Sequence, residues 1–576
     1  MKNIMKLSFV LVAAALVFSS CNCFKKMAKN REDIQVTCTP EVLELVNGTV
    51  AADISVSIPA KYFNAKAVVK VTPVIVFEGG EVAGAPKYFQ GEKVDENYTV
   101  VAKKADGVYT LHAEFPYDER MKQSELQVRA EIKCPKGGCK ELTLVNLNTG
   151  AVATAEEMAV MVQDNAEALA LRKTFGLVVA QGVNVLQGDL NFSTVMIPMP
   201  NNYKRVTTEV VKVDIVYDIN NSKVSKVAVK GLDGFKSDVD AKLQNDRATQ
   251  HLTVKGYASP DGPEKFNDKL SKARSESGKK ALEKLLKDSG LEVDAAAYGE
   301  DWEGLKELVA ASDIKDKNLI LQVLGLYSSS AQREAEIKNM ASVFAELKSE
   351  VLPKLRRSQV VNSTDLMGKT DEEIMALINA NDFNALNNEE LLYAAESLIT
   401  NGEQKVATLN HTAQKYNDLR AYNNLGIALS EVGQQEASLK AFEKAAQLGS
   451  TNSTISSNLA LSNMANGKMA EADKYLQAAE SETKAMAAAV KGDYSSAAKQ
   501  LEGTNAAIAY IMNKDYTAAK NAIAKDNSAD ADYLRAVIAK KEGDVATAKA
   551  QLNSAVAKNP ALAQKAATDV NLKGLE

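Results

Sequence analysis

A period of 34 residues runs through the C-terminal part of the chain. Leu425-Gly426, Gly433, Ser438, Phe442 and Ala445 return as Leu459-Ala460, Gly467, Ala472, Leu476 and Ala479. Shorter units follow at Gly492/Ala497/Leu501 and Lys514/Ala519/Ile523, before Gly543, Ala548, Leu552, Ala555 and Pro560 restore the pattern. A fixed period of this length means helix–turn–helix units stacked on copies of themselves, because one pair cannot bury its apolar face alone. Small residues let the helices of a pair approach, and large ones fill the space between pairs. Residues 416–576 are therefore expected to form an α-solenoid. Its concave face should be lined by first-helix residues such as Tyr422, Asn423, Asn458 and Asn463, and Ala561 to Leu575 should be a polar-faced cap.

The solenoid cannot be the whole molecule, since 576 residues exceed one core and call for three or four domains. Between residues 35 and 140 the pattern is β. Ala67–Phe77 is valine-rich, Leu126-Gln-Val-Arg-Ala-Glu-Ile132 alternates, and turns fall at Gly79-Gly80, Ala105-Asp-Gly107 and Pro116. Strands at this spacing favour a sandwich-like domain over a parallel sheet. Residues 141–205 read as a mixed connecting region, with a helix over Glu156–Leu171, extended runs at Phe175–Val185 and Val195–Ile197, and a proline-punctuated exit, Ile197-Pro-Met-Pro-Asn-Asn202. Residues 366–415 read as a helical linker. The fold class is thus multidomain α+β.

Lys2 and Lys6 precede an apolar run, Leu7–Phe18, and Ser19-Ser20 stands before Cys21. This makes 1–20 a signal peptide and 21–34 a linker. Small residues directly before a cysteine resemble the lipobox of bacterial lipoproteins, which implies acylation of Cys21. No later run reaches the roughly 18 apolar residues of a membrane span, so lipid is the expected anchor. Residues after Cys21 carry Lys25, Lys26, Lys29 and Arg31 before the first acid, Glu32. An acidic run here marks surface export in lipoproteins of this kind, so its absence implies the periplasmic face of the outer membrane. Of the other cysteines, Cys134-Pro-Lys-Gly-Gly-Cys139 suits a disulfide across a turn and equally two free thiols, with no second pair or histidine to suggest zinc.

Residues 206–365 hold the most specific stretch, Thr253 to Arg274. A short apolar strand enters an Asp261-Gly262-Pro263 turn and runs into a helix marked by Phe266, Leu270 and Ala273. Gly256, Tyr257, Gly262, Asn267, Leu270, Ser271 and Arg274 match, in register, the motif of the OmpA-like peptidoglycan-binding domain, which this region resembles. The resemblance implies a βαβαβ fold, with strands at Val213–Tyr217, Val293–Gly299 and Arg356–Val360 and a helix at Gly231–Leu243. It also implies that an aspartate and Arg274 hold the zwitterionic end of a diaminopimelate stem peptide. Here the aspartate position is Ser259, and the nearest carboxylate is Asp261. Asp261 either substitutes, with Tyr257 and Asn267 shaping the pocket, or caps the following helix. Residues 302–352 are an insertion read as a helical pair, packed onto the sheet by Trp302, the one tryptophan.

No catalytic constellation is visible. The three histidines, His112, His251 and His411, fall in different regions, and no nucleophile elbow or phosphate loop occurs. No metal or cofactor is expected. The 69 basic and 74 acidic residues nearly balance, leaving no field that would select nucleic acid. Two readings follow. One is a lipoprotein that binds peptidoglycan and recruits envelope proteins through its tetratricopeptide-like repeats. The other is a docking subunit of an outer-membrane assembly, export or fimbrial complex, whose OmpA-like domain has lost the wall.

Overall fold

The computed structural model describes residues 22–136, 139–449 and 452–575. They divide into two compact units: residues up to Pro200 together with those from Ile399 onward, and Asn201–Leu398. The chain is sheet-rich towards its N-terminus and helical towards its C-terminus. Cys21 lies outside the described residues. No described helix is long and apolar enough to cross a membrane.

In the first unit, two sheets face one core. A four-stranded sheet runs Val183–Asn184, Gln35–Val46, Thr49–Ile58, Gly107–Pro116. The main path of a seven-stranded sheet runs Leu177–Gln181, Glu125–Cys134, Val68–Phe77, Lys87–Gly91, Thr99–Val101. Val68–Phe77 is buried along almost its whole length, which is why its sequence is a valine run rather than an alternation. Gly107–Pro116 alternates, because its other face meets water. The edge strands Leu177–Gln181 and Val183–Asn184 come from the expected connecting region, so the sheets extend well past residue 140. The expected extended run Phe175–Val185 supplies both strands. Which sheet each joins is not a matter of local pattern. The expected helix Glu156–Leu171 is two helices, Ala155–Met161 and Ala166–Phe175. Each has its own cap, Thr154 with Glu157 in a capping box and Asn165 on the Ala168 N–H. Cys134 is disulfide-bonded, and Cys139 stands directly opposite it in the antiparallel register. Cys38 is free and buried, and burial pushes its thiol up.

The repeats begin with Gly402–Tyr416 and continue as pairs, starting with Leu419–Glu431 and Gln435–Leu448, then Ser453–Ala465 and Met469–Leu476. Gly426 shows why the small positions recur. A Cβ there would meet the Phe442 ring at 2.7 Å, and the Ser438 hydroxyl donates to the Gly426 carbonyl at 2.7 Å. The last described segment is a short helix, Leu562–Thr568, followed by a 3-10 turn at Val570–Leu572. Leu562, Leu572 and Leu575 are buried, Asn571 Nδ2 donates to Asn184 Oδ1 at 2.9 Å, and Gln123 Nε2 donates to the Ala567 carbonyl at 3.1 Å. These bonds tie the last repeat to the sheet-rich region.

The second unit is built on a four-stranded sheet in the order Val206–Val216, Arg357–Met367, Ala248–Ala258, Val293–Glu300. Only the last pair is parallel. Helices Asp233–Leu243 and Glu264–Leu285 complete a strand–helix–strand–helix–strand order. The insertion is four helices and a final turn rather than a pair: Trp302–Ala310, Lys317–Leu326, Ser330–Asn339, Ala341–Glu350 and Leu352–Leu355. They enclose a small core of their own, against which Trp302 packs. Asp371–Asn379 and Asn388–Ser397 also belong to this unit, so the expected linker is split between the two units at Leu398.

Candidate functional site

The strand Ala248–Ala258 alternates strictly. Leu252, Val254, Gly256 and Ala258 turn one way, and Thr253, Lys255 and Tyr257 the other. Gly256 is required by close approach, since a Cβ there would lie 2.1 Å from the Ser271 carbonyl oxygen of the helix Glu264–Leu285. That contact seats the helix on the sheet and fixes where Arg274, a turn further on, must point. Asn267 ties the junction together. Its Nδ2 donates to the Ser259 carbonyl at 3.3 Å, the Gly262 carbonyl at 3.1 Å and Glu300 Oε1 at 2.8 Å. Pro263 is the N-cap, and no side chain caps the helix, so Asp261 does not play that part.

Arg274 is 0% exposed. Its Nε donates to the Asn221 carbonyl at 3.0 Å, Nη1 to the Tyr257 carbonyl at 2.9 Å and Nη2 to the Asp218 carbonyl at 3.3 Å. The guanidinium lies 5.2 Å from the Tyr217 ring centroid. Loss of hydration lowers its pKa to about 10, with Arg356 nearby adding to the fall and Asp261 and Tyr217 opposing it. The hydroxyls of Tyr217 and Ser358 both donate to the Arg274 carbonyl, at 3.1 and 2.8 Å. Arg274 thus cross-links the loop after the first strand to the end of the second.

Asp261 accepts a hydrogen bond from the Ser259 hydroxyl at 2.6 Å and lies 3.6 Å from Arg356 Nη2. Arg356 Nε is buried with no hydrogen-bond partner. Tyr257 shares only its backbone with Arg274. Its ring is on the opposite face, stacked on Tyr298 at 5.3 Å with the Arg357 guanidinium 5.6 Å away. Arg357 in turn bridges Asp301 and Asp214, each at 2.8 Å. Burial, then the Asp301 and Tyr298 charges, push the Tyr257 hydroxyl up to about 12, and burial raises Asp301. Of the five residues singled out by the sequence, Ser259, Asp261, Asn267 and Arg274 gather at one end of the sheet and the Tyr257 side chain does not. Arg356, the cation that faces Asp261, was read only as the start of a strand. The Arg356-Arg357 pair is the signal that could have found it, because strand alternation sends two adjacent arginines to opposite faces.

The first helices of the repeats hold a second arrangement. Residues 185–200, the end of the expected mixed connecting region with its proline-punctuated exit, lie along them. Asn424 Oδ1 and Nδ2 take the N–H and carbonyl of Met199, both at 2.8 Å. Asn458 does the same to Ile197, both at 2.8 Å, and Asn505 to Asn191, at 2.8 and 2.9 Å. Asn423 Nδ2 adds a bond to the Ile197 carbonyl at 3.1 Å. Gln187 Nε2 donates to the Ala489 carbonyl and the Tyr494 hydroxyl at 2.9 and 2.8 Å. Pro198 and Pro200 have no N–H to lose, so the proline spacing leaves the donors where asparagines wait. Leu186, Leu190, Val195, Met196 and Met199 are buried in the repeat core. Asn463 turns back on its own helix, to the Leu459 carbonyl at 2.8 Å, and Tyr422 is half-buried. Asn424 and Asn458, one period apart, carried a signal that the sequence reading only half used.

His112 pairs with Asp53 at 2.8 Å, and His251 lies 3.9 Å from Asp365. Among the described residues no group of three or more His, Cys, Asp or Glu side chains could hold a metal ion. Compared with known proteins, the chain matches no family model and no curated protein.

Proposed function

We propose that this chain is a non-enzymatic lipoprotein, anchored through Cys21 on the periplasmic face of the outer membrane, that serves as a docking subunit of an envelope assembly. In this reading the sheet-rich region is a sandwich-like domain and the repeats are a tetratricopeptide-like solenoid. The second unit is an OmpA-like domain that no longer grips the wall. The observation that carries the choice is Arg274. A carboxylate needs a guanidinium edge that it can reach, and this one is fully buried with each nitrogen on a backbone carbonyl. Ser259 offers an incoming ammonium a neutral acceptor only, and that hydroxyl already donates to Asp261. The occupied first-helix face supports the same reading of the repeats, whose protein partners are then expected elsewhere on their surface.

Sedimentation of the full-length Cys21→Ser chain with purified peptidoglycan tests it. The protein should stay in the supernatant, and Ser259→Asp should not bring it down. Retention of the unaltered sequence on the wall, competed by free diaminopimelate, would return the domain to a tether. One observation favours that second reading. Asp261 and Arg356 face each other, half-buried, at the same junction, and the Arg356 Nε lacks a partner. A tether built on them would lose wall binding in Arg356→Gln and keep it in Arg274→Lys.

A further inference from the structure

Between the two sheets of the first unit lies a cavity of about 150 Å³. Val56, Val69, Phe89, Ala130 and Ile132 line it, and Met27, from the helix Asn22–Lys29, closes one side. Native interiors leave few voids larger than a water molecule, so an opening this large in an otherwise filled core is not packing noise. Inside the cavity, away from its mouth, a water would find nothing to bond. The Tyr62 hydroxyl donates to the Met27 carbonyl at 2.9 Å, Asn146 Nδ2 to the Thr174 carbonyl at 3.0 Å, and Asn146 Oδ1 accepts from the N–H groups of Asn148 and Thr149. The polar atoms at the rim are spent on the protein itself.

One rim group is not. Arg31 uses Nε on the Asn148 carbonyl at 3.0 Å and reaches Glu32 only at 3.5 Å, with 31% of its side chain exposed. A guanidinium with free N–H groups at the mouth of a dry hydrocarbon cavity is the arrangement that holds a carboxylate over an apolar tail. We infer that this cavity takes the hydrocarbon chain of a fatty-acid-like amphiphile, with its anionic head on Arg31. A void of this size lined by aliphatic and aromatic side chains holds a benzene-sized group, so about six carbons fit inside and the rest of a longer chain stays at the mouth. The inference stands apart from the wall-binding question. It touches the lipid anchor only in that a chain attached at Cys21, being an ester or amide without a free carboxylate, would compete for the hydrocarbon cavity and leave Arg31 unused, whereas a free fatty acid uses both.

The test is a calorimetric titration of the full-length Cys21→Ser chain with butyrate, hexanoate, octanoate and decanoate. Each buried methylene should tighten binding about fourfold up to about six carbons, after which affinity should level off. Ala130→Phe should abolish binding of all four acids. Arg31→Ala should weaken octanoate by about tenfold and leave its methyl ester unchanged. Wild-type protein extracted from membranes separates the two occupants. Failure to bind octanoate, where Cys21→Ser binds it, assigns the cavity to the attached chain and overturns the carboxylate site on Arg31, and equal binding supports free acid as the occupant. No binding to Cys21→Ser, or affinities that keep rising through decanoate or survive in Ala130→Phe, would overturn the inference. The chain-length series reads the unaltered cavity and so stands even if Ala130→Phe fails to fold.

Discussion

The first-helix face of the repeats and the strand–helix junction of the second unit are both recognition geometries turned on the chain's own backbone. They differ in what does the reading. On the repeats, neutral asparagine amides meet an N–H and a carbonyl of one residue at once, so donor and acceptor are satisfied together and no charge is buried. At the junction a single cation meets carbonyls only, and its buried charge has no carboxylate directly on it. The first arrangement is complete in itself. The second has a cost in hydration, visible in the lowered Arg274 pKa, and keeps an electrostatic preference for a nearby anion such as Asp261.

That contrast can be broken most forcefully on the repeats. Asn458→Ala combined with Asn505→Ala removes two bidentate pairs, leaving the Ile197 N–H and both Asn191 groups short of partners inside the fold. At about 2 to 3 kcal/mol for each site and with distant sites adding, urea unfolding should show a loss of about 5 kcal/mol. A loss under about 1 kcal/mol would mean that the segment merely rests there. Arg274→Met comes next. It strips the donors from three carbonyls but also relieves a buried charge, so about 3 kcal/mol is expected in the same measurement. A stability equal to the parent would show that the guanidinium is not the cross-link described.

Alkaline titration sharpens the picture for the first unit. Burial, followed by the charge of Asp33 for Tyr62 and of Glu44 for Tyr494, pushes both hydroxyls up to about 12. An acid whose folded pKa is raised contributes stability that is full below its unfolded value near 10, and the contribution is lost as pH climbs through 12. Stability should fall between pH 10 and 12, and Tyr494→Phe should reduce that fall by on the order of 2 kcal/mol. An unchanged slope, or phenolate absorbance at 295 nm complete by pH 11, would contradict it. The smallest effect is expected for Asp261→Asn, which keeps an acceptor for Ser259 and loses only a 3.6 Å ion pair, so under about 1 kcal/mol. A larger loss would make Asp261 part of the junction's frame rather than its open side.

Much of the scaffold was legible because it repeats or alternates. The 34-residue period located the paired helices, and Gly256, Asn267 and Arg274 located the junction, since close approach and turn geometry restrict residue type there. What was not legible depends on contacts far apart in sequence. Local pattern gave no hint that Ile197-Pro-Met-Pro would find Asn458 and Asn424. The extended character of Phe175–Val185 was legible, but not which sheets its two strands join, nor that Asn571 would reach Asn184. The motif identified Arg274 as a candidate but was silent on whether its nitrogens face solvent or the carbonyls of Asp218 and Asn221, because those belong to a loop fifty-odd residues upstream.

The segment along the repeats also sets an order of events. Its asparagine partners lie 225 to 314 residues further along the chain. At the usual pace of synthesis that interval is on the order of 10 s or more. Throughout it, Leu186, Val195, Met196 and Met199 belong to a core whose other wall has not yet been made. The repeats, by contrast, emerge to find a template already attached to folded sheets, so their stacking can begin on an existing surface rather than on a nucleus of their own. The nascent molecule is therefore most exposed to misassociation while its middle is being made, and a holdase acting at that stage should raise the yield of this protein more than one acting on the finished chain.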